Sequence, residues 1–188
     1  MDFKQYFESA KKLGPNPFYK ELVPHLGEPG TVLELGFGVG TGVLWWLDKG
    51  WEVTAVDQGS EFCEHLRCEI GENAKCEIME GDYCMGFNNQ YDVVSAVFSI
   101  FFVIGERFYE VFNQSLDCVK PGGLWAGQLL GTDDDWRDDV TTLTYTEIKE
   151  LVPDWKILQW NEVNRDGKTV FNEPKHWHVH HLILQKPE

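Results

Sequence analysis

A chain of 188 residues with 43% apolar side chains can build one hydrophobic core, whereas dividing it in two would leave each half marginal. Its formal net charge of −15, from 31 acids against 16 lysines and arginines, repels a phosphate backbone and argues against DNA or structured RNA as a partner. No stretch reaches the roughly 18 to 20 uninterrupted apolar residues of a membrane span. The acidic opening lacks a secretory apolar core, and the cysteines (Cys63, Cys68, Cys76, Cys84, Cys118) form no CxxC pair, so the expectation is a reduced, cytoplasmic protein, monomeric or homodimeric.

Phe3, Tyr6, Phe7 and Ala10 recur at helical spacing and predict a first helix over residues 2–13, ended by Gly14-Pro15-Asn16-Pro17. A second helix over 18–26 leads to the sheet, so that residues 1–27 read as a helical cap on a single domain spanning 1–188. Residues 31–35 are the first clear strand, bounded by Glu28-Pro29-Gly30 and Gly36. Helices over 40–49, 60–70 (Ser60 its cap) and 107–119 then alternate with strands over 52–56, 75–79, 91–97 and 124–130. The strand at 91–97 is nearly all apolar after Asp92, as suits a parallel strand covered on both faces. This alternation predicts an α/β fold with an open, mostly parallel sheet. A short helix over 144–151, capped by Thr146, follows. Strands over 156–163 and 176–184 flank a loop containing Asn164-Arg165-Asp166-Gly167 and pair antiparallel at one edge.

The chemistry concentrates where the first strand turns into a helix, in Glu34-Leu35-Gly36-Phe37-Gly38-Val39-Gly40. Glycines there permit positive φ and close backbone approach to a ligand, and the following helix offers unpaired N–H groups. Asp57, ending the next strand, is placed to accept the hydroxyls of a ribose. Nicotinamide and S-adenosylmethionine sites share this pattern. Glu34 separates them by charge, because an acid sits badly against a pyrophosphate and well against an ammonium or sulfonium.

With those residues in place, Glu34-Leu-Gly-x-Gly-x-Gly40 resembles motif I of the class I S-adenosylmethionine-dependent methyltransferases. Asp57 and Gln58 match that family's ribose acid and the residue beside the adenosine, and Gly81-Asp82-Tyr83 its adenine-binding segment. Tyr91-Asp92-Val-Val-Ser-Ala96 is similar to motif IV, and Val119-Lys-Pro-Gly-Gly123 to the turn before strand five. The resemblance implies a Rossmann-like sheet of seven strands in the order 3-2-1-4-5-7-6, the last antiparallel. It further implies S-adenosyl-L-methionine as cofactor, S-adenosyl-L-homocysteine as product, and Glu34, Gly36, Phe37, Gly38, Gly40, Asp57, Gln58, Asp82, Tyr83 and Val97 as cofactor-binding residues. The size and the Lys175-His-Trp-His178 ending resemble the small bacterial tellurite-resistance-like and generic methyltransferase domains, which act on small molecules.

A substrate pocket is expected after strand four, at the carboxyl edge of the sheet. Phe98 and Phe101 are expected in its wall, with Phe7, Tyr19 and Trp136 from flanking segments. Helix packing explains the phenylalanines equally well, and Trp45 and Trp46 read as core. The run Thr132-Asp-Asp-Asp-Trp-Arg-Asp-Asp139 is either a solvated mobile loop or a lid whose acids favour a cationic substrate. His176, His178 and His180 share a strand face with no nearby cysteine or acid cluster in sequence, so no metal is expected. His176, His178 and Tyr6 are the candidates for acid–base work. Two alternatives to a methyltransferase remain: a non-catalytic cofactor-sensing module, and a nicotinamide-dependent reductase, for which no Tyr-x-x-x-Lys pair appears mid-chain.

Overall fold

Strand β1 (Thr31–Leu35) is buried from Val32 to Leu35, the consequence of an apolar segment covered by helices on both faces. It lies at the centre of the computed structural model, which describes residues 3–83 and 89–188; Cys84 falls outside them. Around it are β2 (Glu52–Asp57), β3 (Cys76–Glu80), β4 (Tyr91–Ala96), β5 (Val119–Leu130), β6 (Lys156–Lys168) and β7 (Pro174–Gln185). They form one sheet of order β3-β2-β1-β4-β5-β7-β6. Pairing is parallel from β3 through β5, and β7 runs antiparallel to both β5 and β6. This is the topology that the motif resemblance implies.

Helices α1 (Phe3–Leu13), α2 (Phe18–Leu22), α3 (Thr41–Asp48), α4 (Ser60–Ile70), α5 (Glu106–Asp117) and α6 (Tyr145–Leu151) cover the sheet. One face packs Phe108, Phe112 and Ile148 on Trp125 and Leu182; the other packs Phe18, Trp46 and Leu66 on Val32 and Ile183. None of the described helices is long and apolar enough to cross a membrane.

Five local features differ from the sequence reading. The helix before the fifth strand ends at Asp117 and β5 begins at Val119, so the segment read as the turn before it, Val119 to Gly123, lies within the strand. The second helix is only α2, followed by the 3-10 turn Val23–His25, because Pro24 cannot continue an α-helix. Ser60 is the first residue of α4, not its cap: Gly59 holds that place, its N–H bound by Asp57 Oδ1 at 2.8 Å. Thr144, not Thr146, caps α6 through a reciprocal capping box, with Thr144 N–H donating to Glu147 Oε2 at 2.7 Å and Glu147 N–H to Thr144 Oγ1 at 3.3 Å. The last hairpin is longer than expected: Asn164 to Gly167 lie inside β6, paired with His178 to Lys175, and the turn is made by residues 169–173. The Asp-Gly pair is therefore a strand segment here.

Candidate functional site

At the carboxyl ends of β1 and β4, where the strand order reverses, the loops part to leave a cleft of about 1160 Å³. Gly36, Phe37, Gly38 and Val97 line it from the sheet, Tyr6 from α1, and Phe98, Phe101 and Trp136 from the loops after β4 and β5. The β6–β7 hairpin closes one side with residues 165–171 and with Trp177, Val179 and His181.

Gly36 has φ +71, and a Cβ there would stand 2.3 Å from the Tyr83 hydroxyl and 2.4 Å from Ser99 Cβ, so only glycine lets the chain turn at this point. Gly40, with φ +81, occupies the N-cap of α3. Asp57 is buried, and its carboxylate ties the two loops together by accepting from Gly38 N–H and Gly59 N–H, both at 2.8 Å. Burial raises its pKa, and those backbone donors offset part of the rise. Gln58 beside it is exposed. Asp82 ion-pairs with Arg107 of α5, and the Tyr83 phenol is pushed up chiefly by burial. Tyr6 approaches Phe62 and Phe171 edge-on, and burial, then Asp57, raises its pKa.

Beneath the glycine turn Glu34 reaches the cleft although only 2% exposed. The Tyr19 hydroxyl donates to one of its oxygens and Trp46 Nε1–H to the other at 2.9 Å. Desolvation lifts its pKa to about 7 against the donors from Tyr19 and Trp46. Tyr19 lines the cleft, as expected, and is also the partner of this acid. Trp46 is core, as expected, but it has a polar duty as well.

Several expected site residues lie elsewhere. Phe7 packs edge-on against His65 of α4, 4.1 Å between centroids, and does not line the cleft. His176 and His178 also fail to line it, because residues of one strand alternate between faces and the cleft belongs to Trp177, Val179 and His181. The acidic run is largely exposed, as a solvated loop would be, but Asp134 is buried and the run is not turned to the cleft as a whole. Asp134 is fully buried on Lys175, Asp133 N–H donates to His178 Nδ1 at 3.1 Å, and Asp135 accepts from His176 N–H at 2.6 Å. Trp136 and the exposed Asp139 reach the cleft.

The histidine face has an acid that sequence spacing hid: Glu162, across the hairpin, lies 2.8 Å from His178 Nε2, and Glu162, His178 and His180 form a cluster of metal-ligand type. Both rings accept at Nδ1, His178 from Asp133 N–H and His180 from Trp160 Nε1–H at 3.2 Å. With Nδ1 accepting, His178 carries its proton on Nε2 and turns an N–H toward Glu162, whereas the buried Nε2 of His180 has no hydrogen-bond partner among the described residues. The residues that sequence reasoning missed, His181 and its partner Gln128, are separated by 53 positions and meet only through the pairing of β5 with β7.

Residues 32–123 match the family described as "Methyltransferase domain". No curated protein matches the chain in sequence. Solved structures with the same fold include TehB from Haemophilus influenzae, 19% identical with a TM-score of 0.76 over 90% of this chain and 61% of that one. The chain therefore spans less than two thirds of that protein. The 1,6-didemethyltoxoflavin-N1-methyltransferase of Burkholderia thailandensis, solved with 1,6-didemethyltoxoflavin and S-adenosylhomocysteine, is 17% identical with a TM-score of 0.73, over 92% of this chain and 78% of that one. The N-methyltransferase NodS from Bradyrhizobium japonicum WM9, in complex with S-adenosylhomocysteine, is 13% identical with a TM-score of 0.72, over 98% and 99%. At such identities the likeness is one of fold, which the strand order already displays. Taken with the glycine turn, it shows that residues 32–123 are similar to a methyltransferase domain and lie in a sheet of that fold.

Proposed function

We propose that the protein transfers a methyl group from S-adenosylmethionine to an N, O, S or heavier chalcogen atom of a small molecule held in the cleft. The observation that carries this reading is Glu34, a buried carboxylate facing the cleft from under the glycine turn. It suits the positive end of an aminoacyl sulfonium, and a bound cation draws its pKa down from about 7. A pyrophosphate would meet that acid unfavourably.

The residues fit the cofactor on two counts: Gly36 and Gly38 line the cleft without side chains, and the charged groups at the turn itself, Glu34 and Asp57, are acids. Glu34, Gly36, Phe37, Gly38 and Gly40 would hold the aminoacyl end, Asp57 the ribose, and Gln58, Asp82, Tyr83 and Val97 the adenine side. When bound, the cofactor supplies a methyl already activated by the sulfonium. The chain's own work is to align the acceptor with that methyl and keep water away, and Tyr6, Phe98, Phe101 and Trp136 form the apolar wall for this.

Calorimetric titration with S-adenosylmethionine, S-adenosylhomocysteine and NAD tests the reading. Binding of the first two is expected, with Asp57→Ala at least roughly tenfold weaker while the domain stays folded. Tight NAD binding with none of the others would overturn it.

A further inference from the structure

We propose that His181 recognises the substrate of this cleft through a fixed Nε2–H donor, selecting planar aromatic molecules that carry a hydrogen-bond acceptor: a carbonyl, a carboxylate or a ring nitrogen. The proposal deepens the methyltransferase reading by naming a substrate class, and its structural half stands without the cofactor.

The tautomer follows from a relay of three residues. Phe98 N–H can only donate, and it faces Gln128 Oε1 at 3.0 Å. That fixes the orientation of the Gln128 amide, so its NH₂ is the group 3.3 Å from His181 Nδ1. Nδ1 must then accept, which leaves the ring proton on Nε2. Gln128 is fully buried in the middle of β5, where an amide is costly unless both ends are satisfied, and these two bonds satisfy them. Phe98 has φ +53, unusual for a side chain of its size, and the bond to Gln128 helps hold it there.

His181 is half-buried and lines the cleft, and its Nε2 has no partner among the described residues. Burial keeps the imidazole neutral against the pull of Glu21, the one acid acting on it. The ring therefore offers a donor, and a general base at Nε2 would need the lone pair that this tautomer lacks. Around it the cleft walls are aromatic: Phe98 approaches the imidazole at 6.5 Å between centroids, and Trp177 meets Phe98 edge-on at 5.8 Å. Such walls favour a flat ring. Apart from Glu34, the charged residues lining the cleft, Asp139, Arg165, Asp166, Lys168 and Glu173, are all exposed.

The test uses the full chain labelled with ¹⁵N-histidine, His181 being assigned from His181→Phe. Nitrogen shifts without any ligand are expected to show Nδ1 unprotonated and Nε2 protonated. In Gln128→Glu a carboxylate accepts from both sides, and the proton is expected to move to Nδ1. Benzoate, benzamide and benzylamine, one ring with different polar ends, are then titrated in the presence of S-adenosylhomocysteine. Benzoate and benzamide are expected to move the His181 Nε2–H resonance, and benzylamine to leave it; His181→Phe should bind benzoate roughly tenfold more weakly. A wild-type Nδ1–H tautomer, or benzylamine binding as tightly as benzoate, would overturn the proposal. Should Gln128→Glu not fold, the wild-type tautomer and the His181→Phe affinities decide alone. Failure of S-adenosylhomocysteine to bind would instead count against the cofactor reading and leave the tautomer result standing.

Discussion

The Nε1–H of Trp46 in α3 donates to Glu34 Oε2 at 2.9 Å, joining the helix after the glycine turn to the strand before it. With the Tyr19 hydroxyl on the other oxygen, this bond keeps a carboxylate in a place where burial alone would neutralise it. Trp46→Phe keeps an aromatic ring in the core while removing the donor and part of the ring volume. The expected loss is about 1–3 kcal/mol in unfolding free energy, the cost of leaving a buried acceptor short of a partner. Urea denaturation measures it, and a loss within about 0.3 kcal/mol would show that the indole N–H does not support the acid.

Glu34 also gives folding a pH dependence. Its pKa is near 4.5 in an unfolded chain and about 7 in the fold. The folded state therefore holds the proton more tightly, and its stabilising contribution is complete below about pH 4.5 and lost as pH rises through about 7. The decline attributable to this group is on the order of 3 kcal/mol. Glu34→Gln, which cannot titrate, should lack that part of the slope from about pH 4 to about pH 8. Parallel stability curves for the two proteins would refute the assignment.

How much of this was legible in the sequence depends on the distance over which each feature is encoded. The core strands were readable because apolar runs punctuated by glycine and proline are local signals, and the sheet order followed from motifs in series. The face of β7 that meets the cleft was not. His176, His178 and His181 differ only by alternation, and which set turns inward depends on the register with β5, where His181 meets Gln128. Likewise Glu162 joins His178 only across the hairpin. Within the mostly exposed acidic run, burial of Asp134 was not legible because its partner Lys175 lies 41 positions away.

That pair supports a third prediction. Asp134 and Lys175 are almost wholly buried, and the ammonium also lies 3.6 Å from the Trp177 ring centroid and 4.4 Å from that of Trp136. Asp134→Ala strands a buried cation and two backbone donors, Trp136 N–H and His178 N–H, and should cost about 3–5 kcal/mol. Lys175→Met leaves the carboxylate those two donors and should cost less. Thermal or urea unfolding of both variants checks the order; the reverse order would mean that the lysine, not the acid, organises the loop.

The cap of α6 offers a sharper contrast between neighbours. Thr144→Ala removes the side chain that accepts from Glu147 N–H and should cost about 0.5–2 kcal/mol. Thr146→Ala, inside the first turn and outside the capping box, should change stability by less than about 0.5 kcal/mol. Equal losses would remove the capping box as the reason the helix starts where it does.

Gly42 carries the last test, because two general rules conflict there. Replacing glycine by alanine inside a helix ordinarily stabilises it by up to about 1 kcal/mol. At Gly42 the new Cβ would stand 2.1 Å from the Tyr19 hydroxyl and 3.0 Å from Glu34 Oε1, atoms that are buried and bonded to each other. Overpacking of this kind costs about 1–3 kcal/mol, so the clash outweighs the propensity and Gly42→Ala should destabilise. Tyr19→Phe removes the offending oxygen, and Gly42→Ala should then cost markedly less when combined with Tyr19→Phe than in the wild type. A double-mutant cycle reads this coupling directly. Strict additivity would show that the glycine is required for some reason other than room for the tyrosine that holds Glu34.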